Sequence, residues 1–256
     1  MTRYSHITIG SLFSGIGGLD LGVEAALPGA HTLWQVEKDD YCRRVLAKHW
    51  PDAERFDDVT TVGKEELSCP TIVMGGWPCQ DASVANTNGR GLEGEKTGLW
   101  WQFARILRDC LPRYVIAENV ANINRRGLEK VIVSLAESGY MRCQWDIVSA
   151  AAVGAAHGRD RCFIIAVRDR GIPNPDCSGQ QKQRRAIPAA AKYSPVERSR
   201  RWGTLPQVGR TTTGVRRRVD RLRCLGNAVC PPVAYVVGRK LAEIIDREEE
   251  LDGIGA

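Results

Sequence analysis

Thr71-Ile72-Val73-Met74-Gly75-Gly76-Trp77-Pro78-Cys79-Gln80 is a short apolar run that stops at two glycines and continues through a proline into a cysteine and a polar stretch. A run of this length bounded by glycine predicts a strand buried on both faces, as in a parallel sheet. Proline fixes the backbone one residue ahead of Cys79. The arrangement presents a thiol at the end of a strand, on the edge of a sheet, where a nucleophile can meet a substrate. Taken alone, a buried structural thiol explains Cys79 more simply, since free cysteine is among the most buried residue types. The rest of the chain decides between the two.

Working outward, apolar strands alternate with amphipathic helices on both sides of this stretch. Strands are predicted at Ile7 to Leu12, Thr32 to Glu37, Tyr114 to Glu118, Gln144 to Ser149 and Arg161 to Val167. Helices are predicted at Leu19 to Ala26, Asp40 to His49, Trp100 to Cys110 and Leu128 to Ala136. Repeated strand–helix alternation implies an α/β fold with a doubly wound, mostly parallel sheet. The periodicity lapses after Arg168 and returns in a helix from Val233 to Ile245, which Pro231-Pro232 introduces. The expected organisation is a catalytic and cofactor-binding part over 1–169, a small insert over 170–208, and a return to the first domain over 209–256.

At 256 residues the chain suits one large domain with such an insert. Its nine cysteines form no Cys-x-x-Cys pair and no Cys/His cluster at zinc spacing, so reduced, mostly buried thiols are expected and no metal site. No apolar run approaches the roughly 18 residues of a membrane span, and the first residues lack a signal-peptide core. A cytoplasmic protein without membrane association is expected. The net charge of +6 is concentrated: between Lys182 and Arg223 stand thirteen basic and two acidic residues, which leaves the remainder at −5. Such localisation points to a polyanionic partner, most simply nucleic acid.

Six further places in the chain carry chemistry. Phe13-Ser14-Gly15-Ile16-Gly17-Gly18 joins the first strand to its helix, where glycines let the backbone approach a small ligand. It departs from the Gly-x-Gly-x-x-Gly dinucleotide spacing, which disfavours a nicotinamide-dependent dehydrogenase. Glu37 ends the second strand, where a carboxylate can take both hydroxyls of a ribose. Asp58, in the turn Phe56-Asp57-Asp58-Val59, can accept from an adenine amine. Glu118-Asn119-Val120 ends the next strand beside Cys79, and His157-Gly158-Arg159-Asp160-Arg161 places two arginines at a later strand start. Gly226-Asn227-Ala228-Val229 forms a turn before the last helix.

Six motifs in this order resemble the cytosine-C5 DNA methyltransferases, from Ile9 to about Ile245 apart from the insert. The resemblance implies a Rossmann-like fold that uses S-adenosyl-L-methionine, held by Phe13, Gly15, Gly17, Gly18, Glu37 and Asp58, with Pro78 and Asn227 bordering the site. It implies Cys79 as the nucleophile of Pro-Cys-Gln and Glu118 as the group that engages cytosine N3 and the exocyclic amine. Asn119 then holds the glutamate in place, and Arg159 and Arg161 support the catalytic loop and the base. The implied reaction adds the Cys79 thiolate to C6 of a cytosine flipped out of double-stranded DNA, which activates C5 for methylation.

The glycine-rich stretch Asp81 to Gly98 is the expected closing loop. The resemblance further implies a monomer and leaves open a restriction partner. The insert matches the family's target-recognition region but is short and basic, which implies many phosphate contacts and a site of about two to four base pairs, with Trp202 as a wedge or a packing residue. Three positions depart from the family: His157 replaces a glutamine and reads as structural, Trp77 replaces phenylalanine, and Lys38 stands where an apolar residue often stacks on adenine. A transfer-RNA cytosine-C5 methyltransferase and an inactive DNA-binding homologue remain alternatives at this point.

Overall fold

The computed structural model describes residues 2–78, 97–169 and 218–254. Cys79, most of the expected closing loop, the 170–208 insert and Trp202 lie outside the described residues. The elements are β1 (Thr8–Leu12), α1 (Gly18–Ala26), β2 (His31–Val36), α2 (Asp40–His49), β3 (Glu54–Phe56), β4 (Ile72–Gly76), α3 (Trp100–Cys110), β5 (Tyr114–Val120), α4 (Ile123–Arg126), α5 (Leu128–Glu137), β6 (Arg142–Val148), β7 (Arg161–Val167), α6 (Arg218–Asn227) and α7 (Pro231–Ile254).

The seven strands form one sheet in the order β3-β2-β1-β4-β5-β7-β6. Pairing is parallel from β3 through β5, while β7 runs antiparallel to both of its neighbours. The central strands β1, β4 and β5 are buried along nearly their whole length, as a sheet covered on both faces requires. One apolar layer joins the sheet to α3 and α5 through Phe103, Leu107, Val131 and Leu135. The other joins it to α1 and α7 through Leu19, Val23, Val237 and Leu241. Small residues allow α1 and α7 to pack at close range: a Cβ on Gly22 would stand 2.4 Å from that of Ala234, and one on Gly238 2.7 Å from that of Ala26.

The expected strands and helices are all present, most with ends that match or shift by one or two residues, while the last helix runs well past Ile245 to Ile254. β4 runs on through both glycines, because its ladder to β5 continues to Gly76. Three elements were not anticipated: β3, too short and charged to show alternation, the four-residue α4, and α6, whose arginines and exposed Val219, Leu222 and Leu225 mask a helix. Seven of the cysteines are described, and four of these are buried. Among the described residues no helix is long and apolar enough to cross a membrane.

Candidate active site

The chain proceeds from β1 outward to β2 and β3, then returns to place β4 on the other side of β1. This reversal opens a crevice beyond the carboxyl ends of β1 and β4, where ligands of open α/β sheets bind. Leu12 and Gly75 are register partners there, so the Phe13–Gly18 turn and the Trp77-Pro78 stretch leave the sheet side by side. A Cβ on Gly75 would stand 2.3 Å from the Leu12 carbonyl oxygen, so the two strand ends are in backbone contact.

Phe13, Gly15 and Gly17 all have positive φ, at 53°, 56° and 80°. The three glycines of this turn serve different needs. A Cβ on Gly15 meets nothing within 4 Å, so this residue borders open space. On Gly17 it would meet the Trp50 ring at 2.4 Å, and on Gly18 the Val229 carbonyl oxygen at 2.2 Å. Gly17 and Gly18 therefore admit neighbouring chain, and Gly15 leaves room for a ligand. Glu37 is fixed against the same turn, accepting from the Gly15 N–H at 2.7 Å and the Asp39 N–H at 2.8 Å. Asp58 closes its own turn by accepting from the Thr60 N–H and hydroxyl, which hold its carboxyl below the usual range, with Lys38 at 3.7 Å from the other oxygen.

Glu118 pairs with Gly76 across β4 and β5, and a Cβ on Gly76 would stand 2.3 Å from its Oε2. The carboxylate is buried and receives Arg161 Nε at 3.0 Å from Oε1. Burial pushes its pKa up to about 7, although Arg161 and Arg159 pull it down. An acid in this condition is half protonated near neutrality and can donate to a ring nitrogen. The Asn119 side chain does not act on Glu118 through a hydrogen bond. Its amide donates to the Trp77 carbonyl at 3.2 Å, and its Oδ1 accepts from the Val120 N–H at 2.8 Å. Asn119 thus ties the end of β5 to the segment immediately ahead of Cys79.

The two arginines at the start of β7 diverge. Arg161 goes to Glu118, whereas Arg159, at φ 38°, donates to the carbonyls of Gly226 and Ala228 at 2.6 and 2.7 Å. Asn227 sits between those two carbonyls at the end of α6, with its side chain exposed. His157 is exposed as well.

Sequence reasoning missed three supports of the site. Asp20 is fully buried beneath the turn and accepts from Ser11 and Gln35, which joins β1, α1 and β2. Burial raises its pKa to about 6. Gly76 is the second support, and its signal was present as a glycine inside a strand, which marks a close approach. The third is an aromatic row from the Phe13–Gly18 turn to the strand end: Phe13 and Phe103 at 6.5 Å, Phe103 and Trp100 at 5.2 Å, Trp100 and Trp77 at 4.7 Å. The Trp77 substitution thus extends a packed cluster, and its ring is 2% exposed.

The sequence pattern of the C-5 cytosine-specific DNA methylase family matches residues 7–204. The chain belongs to this family. The match takes in every candidate motif except the Asn227 turn, which lies beyond it. Among curated relatives, the type II methyltransferase M.Sau3AI of Staphylococcus aureus is 31% identical over 182 residues, covering 64% of this chain and 44% of that protein. The type II methyltransferase M.HgiCII of Herpetosiphon aurantiacus is 32% identical over 171 residues, covering 64% and 38%. The methylase chain thus spans about two fifths of the length of these two relatives. Among solved structures, DNMT2 of Spodoptera frugiperda aligns with a TM-score of 0.54 over 66% of this chain and 53% of its own, at 18% identity, a likeness of fold.

Proposed function

We propose that this methylase-family chain transfers a methyl group to C5 of a cytosine flipped out of double-stranded DNA, with Cys79 as nucleophile and S-adenosyl-L-methionine as donor. The observation that carries the reading is the buried Glu118 carboxyl, locked beside Gly76 at the strand end that leads to Cys79, with a pKa about 7.

The residues around β1 fit the proposed donor. Gly15 borders open space, and Glu37 is held against the turn by two backbone N–H groups while its remaining lone pairs can accept from ribose hydroxyls. Phe13, Gly17 and Gly18 shape the turn, Asp58 offers an acceptor for the adenine amine, and Pro78 and Asn227 border the site. When bound, S-adenosyl-L-methionine supplies an electrophilic methyl group for C5.

The chain's own residues do the rest. Cys79 adds through its thiolate to C6, while Glu118 donates its proton toward N3 and so limits the charge that builds on the ring. Arg161 holds Glu118 from the far side, and Asn119 fixes the Trp77 carbonyl two residues ahead of the nucleophile. Arg159 fastens the C-terminal turn against the site. Loss of the C5 proton and departure of Cys79 restore the aromatic ring.

In this reading 1–169 and 209–256 form one catalytic domain of a monomer, and the basic 170–208 insert contacts phosphates and reads a short site. Bisulfite sequencing of host DNA from cells expressing the wild type or Cys79→Ala tests the reading, with modification expected from the wild type alone. Equal modification from both sinks it. Offering duplex DNA beside transfer RNA to the purified protein assigns the nucleic acid.

A further inference from the structure

Cys42, on the first turn of α2, and Cys224, in α6, are separated by 182 residues, yet their sulfurs stand 3.1 Å apart in a buried contact. This separation is about 1 Å longer than a disulfide bond. Neither thiol has a part in the proposed reaction. The surroundings hold the pair in place: Asp39 caps α2 by accepting from the Cys42 N–H at 3.1 Å and forms an ion pair with Arg223, the neighbour of Cys224.

Asp39, Cys42 and Cys224 bring one oxygen and two sulfurs within 4.8 Å of one another, which raises the question of a metal ion. The Asp39 carboxylate is already taken, however, by the Cys42 N–H and the Arg223 guanidinium, whose charge opposes a cation. The two sulfurs also stand closer than a pair of ligands at about 2.3 Å from one tetrahedral ion would.

The geometry points to a redox cross-link site: a hydroperoxide converts Cys42 and Cys224 to a disulfide that ties α2 to α6. Burial raises the Cys42 thiol pKa. Cys224 attacks first, and exchanging the two roles gives the same disulfide. Its sulfur takes the terminal oxygen of the hydroperoxide, the O–O bond breaks, and the alkoxide leaves as an alcohol with the proton that Cys224 gives up. Cys224 is then a sulfenic acid. Cys42 attacks that sulfur, the S–O bond breaks, and the hydroxide departs as water with the Cys42 proton. The two sulfurs lose two electrons in total, which the hydroperoxide accepts.

α2 follows Glu37, and α6 runs into the Gly226–Ala228 turn that Arg159 holds. The cross-link therefore joins two segments that flank the proposed cofactor site, and it slows exchange there. That consequence rests on the function proposed above; the cross-link does not.

The test treats the full-length Cys79→Ala protein with hydrogen peroxide, alkylates the remaining thiols after denaturation, and maps the peptides by mass spectrometry. Release of S-adenosylhomocysteine is followed in parallel. The expected result is a linked Cys42–Cys224 peptide lighter by two hydrogens and a several-fold slower release, both absent in the further variants Cys42→Ser and Cys224→Ser. Recovery of both residues as alkylated thiols, or of stoichiometric zinc that either serine variant loses, overturns the cross-link. A linked peptide with unchanged release overturns the consequence alone.

Discussion

The Glu118 carboxylate occupies the space that any side chain at Gly76 would need, since a Cβ there would lie 2.3 Å from Oε2. The two residues are register partners on adjacent parallel strands, so neither backbone can yield without breaking the ladder. Gly76→Ala is therefore expected to push the carboxyl out of place and to lower methyl transfer about a hundredfold or more while the fold persists. Radiolabelled methyl transfer beside circular dichroism reads this, and a fully active alanine variant would remove Glu118 from its proposed position.

The Glu118 pKa of about 7 gives a pH signature. If the protonated acid donates to N3, kcat/KM falls as pH rises through this value. Arg161 pulls the pKa down, so Arg161→Met moves the falling limb to higher pH. Glu118→Gln abolishes the limb and lowers the rate by about 10²–10⁴-fold. Linkage has the same sign: the folded pKa lies above the ordinary glutamate value of 4.5, so the fold gives up stability as pH rises from about 4.5 to about 7. Melting curves of wild type and Glu118→Gln across that window should diverge at the upper end, and parallel curves would contradict the shift.

Asn119→Ala frees the Trp77 carbonyl and leaves the Val120 N–H without its side-chain acceptor. A loss of about 1 kcal/mol of positioning corresponds to several-fold in rate. The effect should fall on kcat, with KM for the cofactor unchanged, because the Asn119 amide holds Trp77, two residues ahead of the proposed nucleophile. A change confined to KM would assign Asn119 elsewhere.

Glu37→Ala removes the acceptor that straddles the Gly15 and Asp39 N–H groups. Binding of S-adenosylhomocysteine, measured by calorimetry, should weaken about tenfold to a hundredfold through loss of charge-assisted hydrogen bonds. Unaltered binding would move the ribose site off β2.

Away from the site, Glu248 on α7 is buried at 5% exposure and accepts from Arg113, Arg142 and the Tyr114 hydroxyl. These partners lie on β5, β6 and the segment ahead of β5, so one carboxylate anchors the long helix to the sheet. Glu248→Gln leaves two guanidinium groups without their counter-charge and should cost about 3 kcal/mol in urea unfolding, with the transition steepness kept.

Much of this architecture was legible because the signals were local. Hydrophobic period and turn residues mark β1, β4, α3 and β7, and Phe13, Glu37 and Glu118 each stand at the end of a readable strand. What remained hidden depends on contacts between distant segments. The role of Gly76 follows from the Glu118 side chain on another strand, and the divergence of Arg159 from Arg161 follows from the return of residues 226–228. Asn119 looked like a partner of its neighbour in sequence, but its amide reaches across to Trp77. The helix at 218–227 escaped notice because its apolar residues Val219, Leu222 and Leu225 face outward.

Near its two ends the chain meets itself. Tyr4 donates to Asp246 at 2.8 Å, Arg3 pairs with Asp246 at 2.9 Å, and His6 lies 3.1 Å from Glu249. In topological terms the path from β1 to α7 is nearly a ring, and the site depends on which strand ends are neighbours rather than on which is translated first. A polypeptide joined across this seam and cut elsewhere would encode the same crevice with its strands in a rotated order.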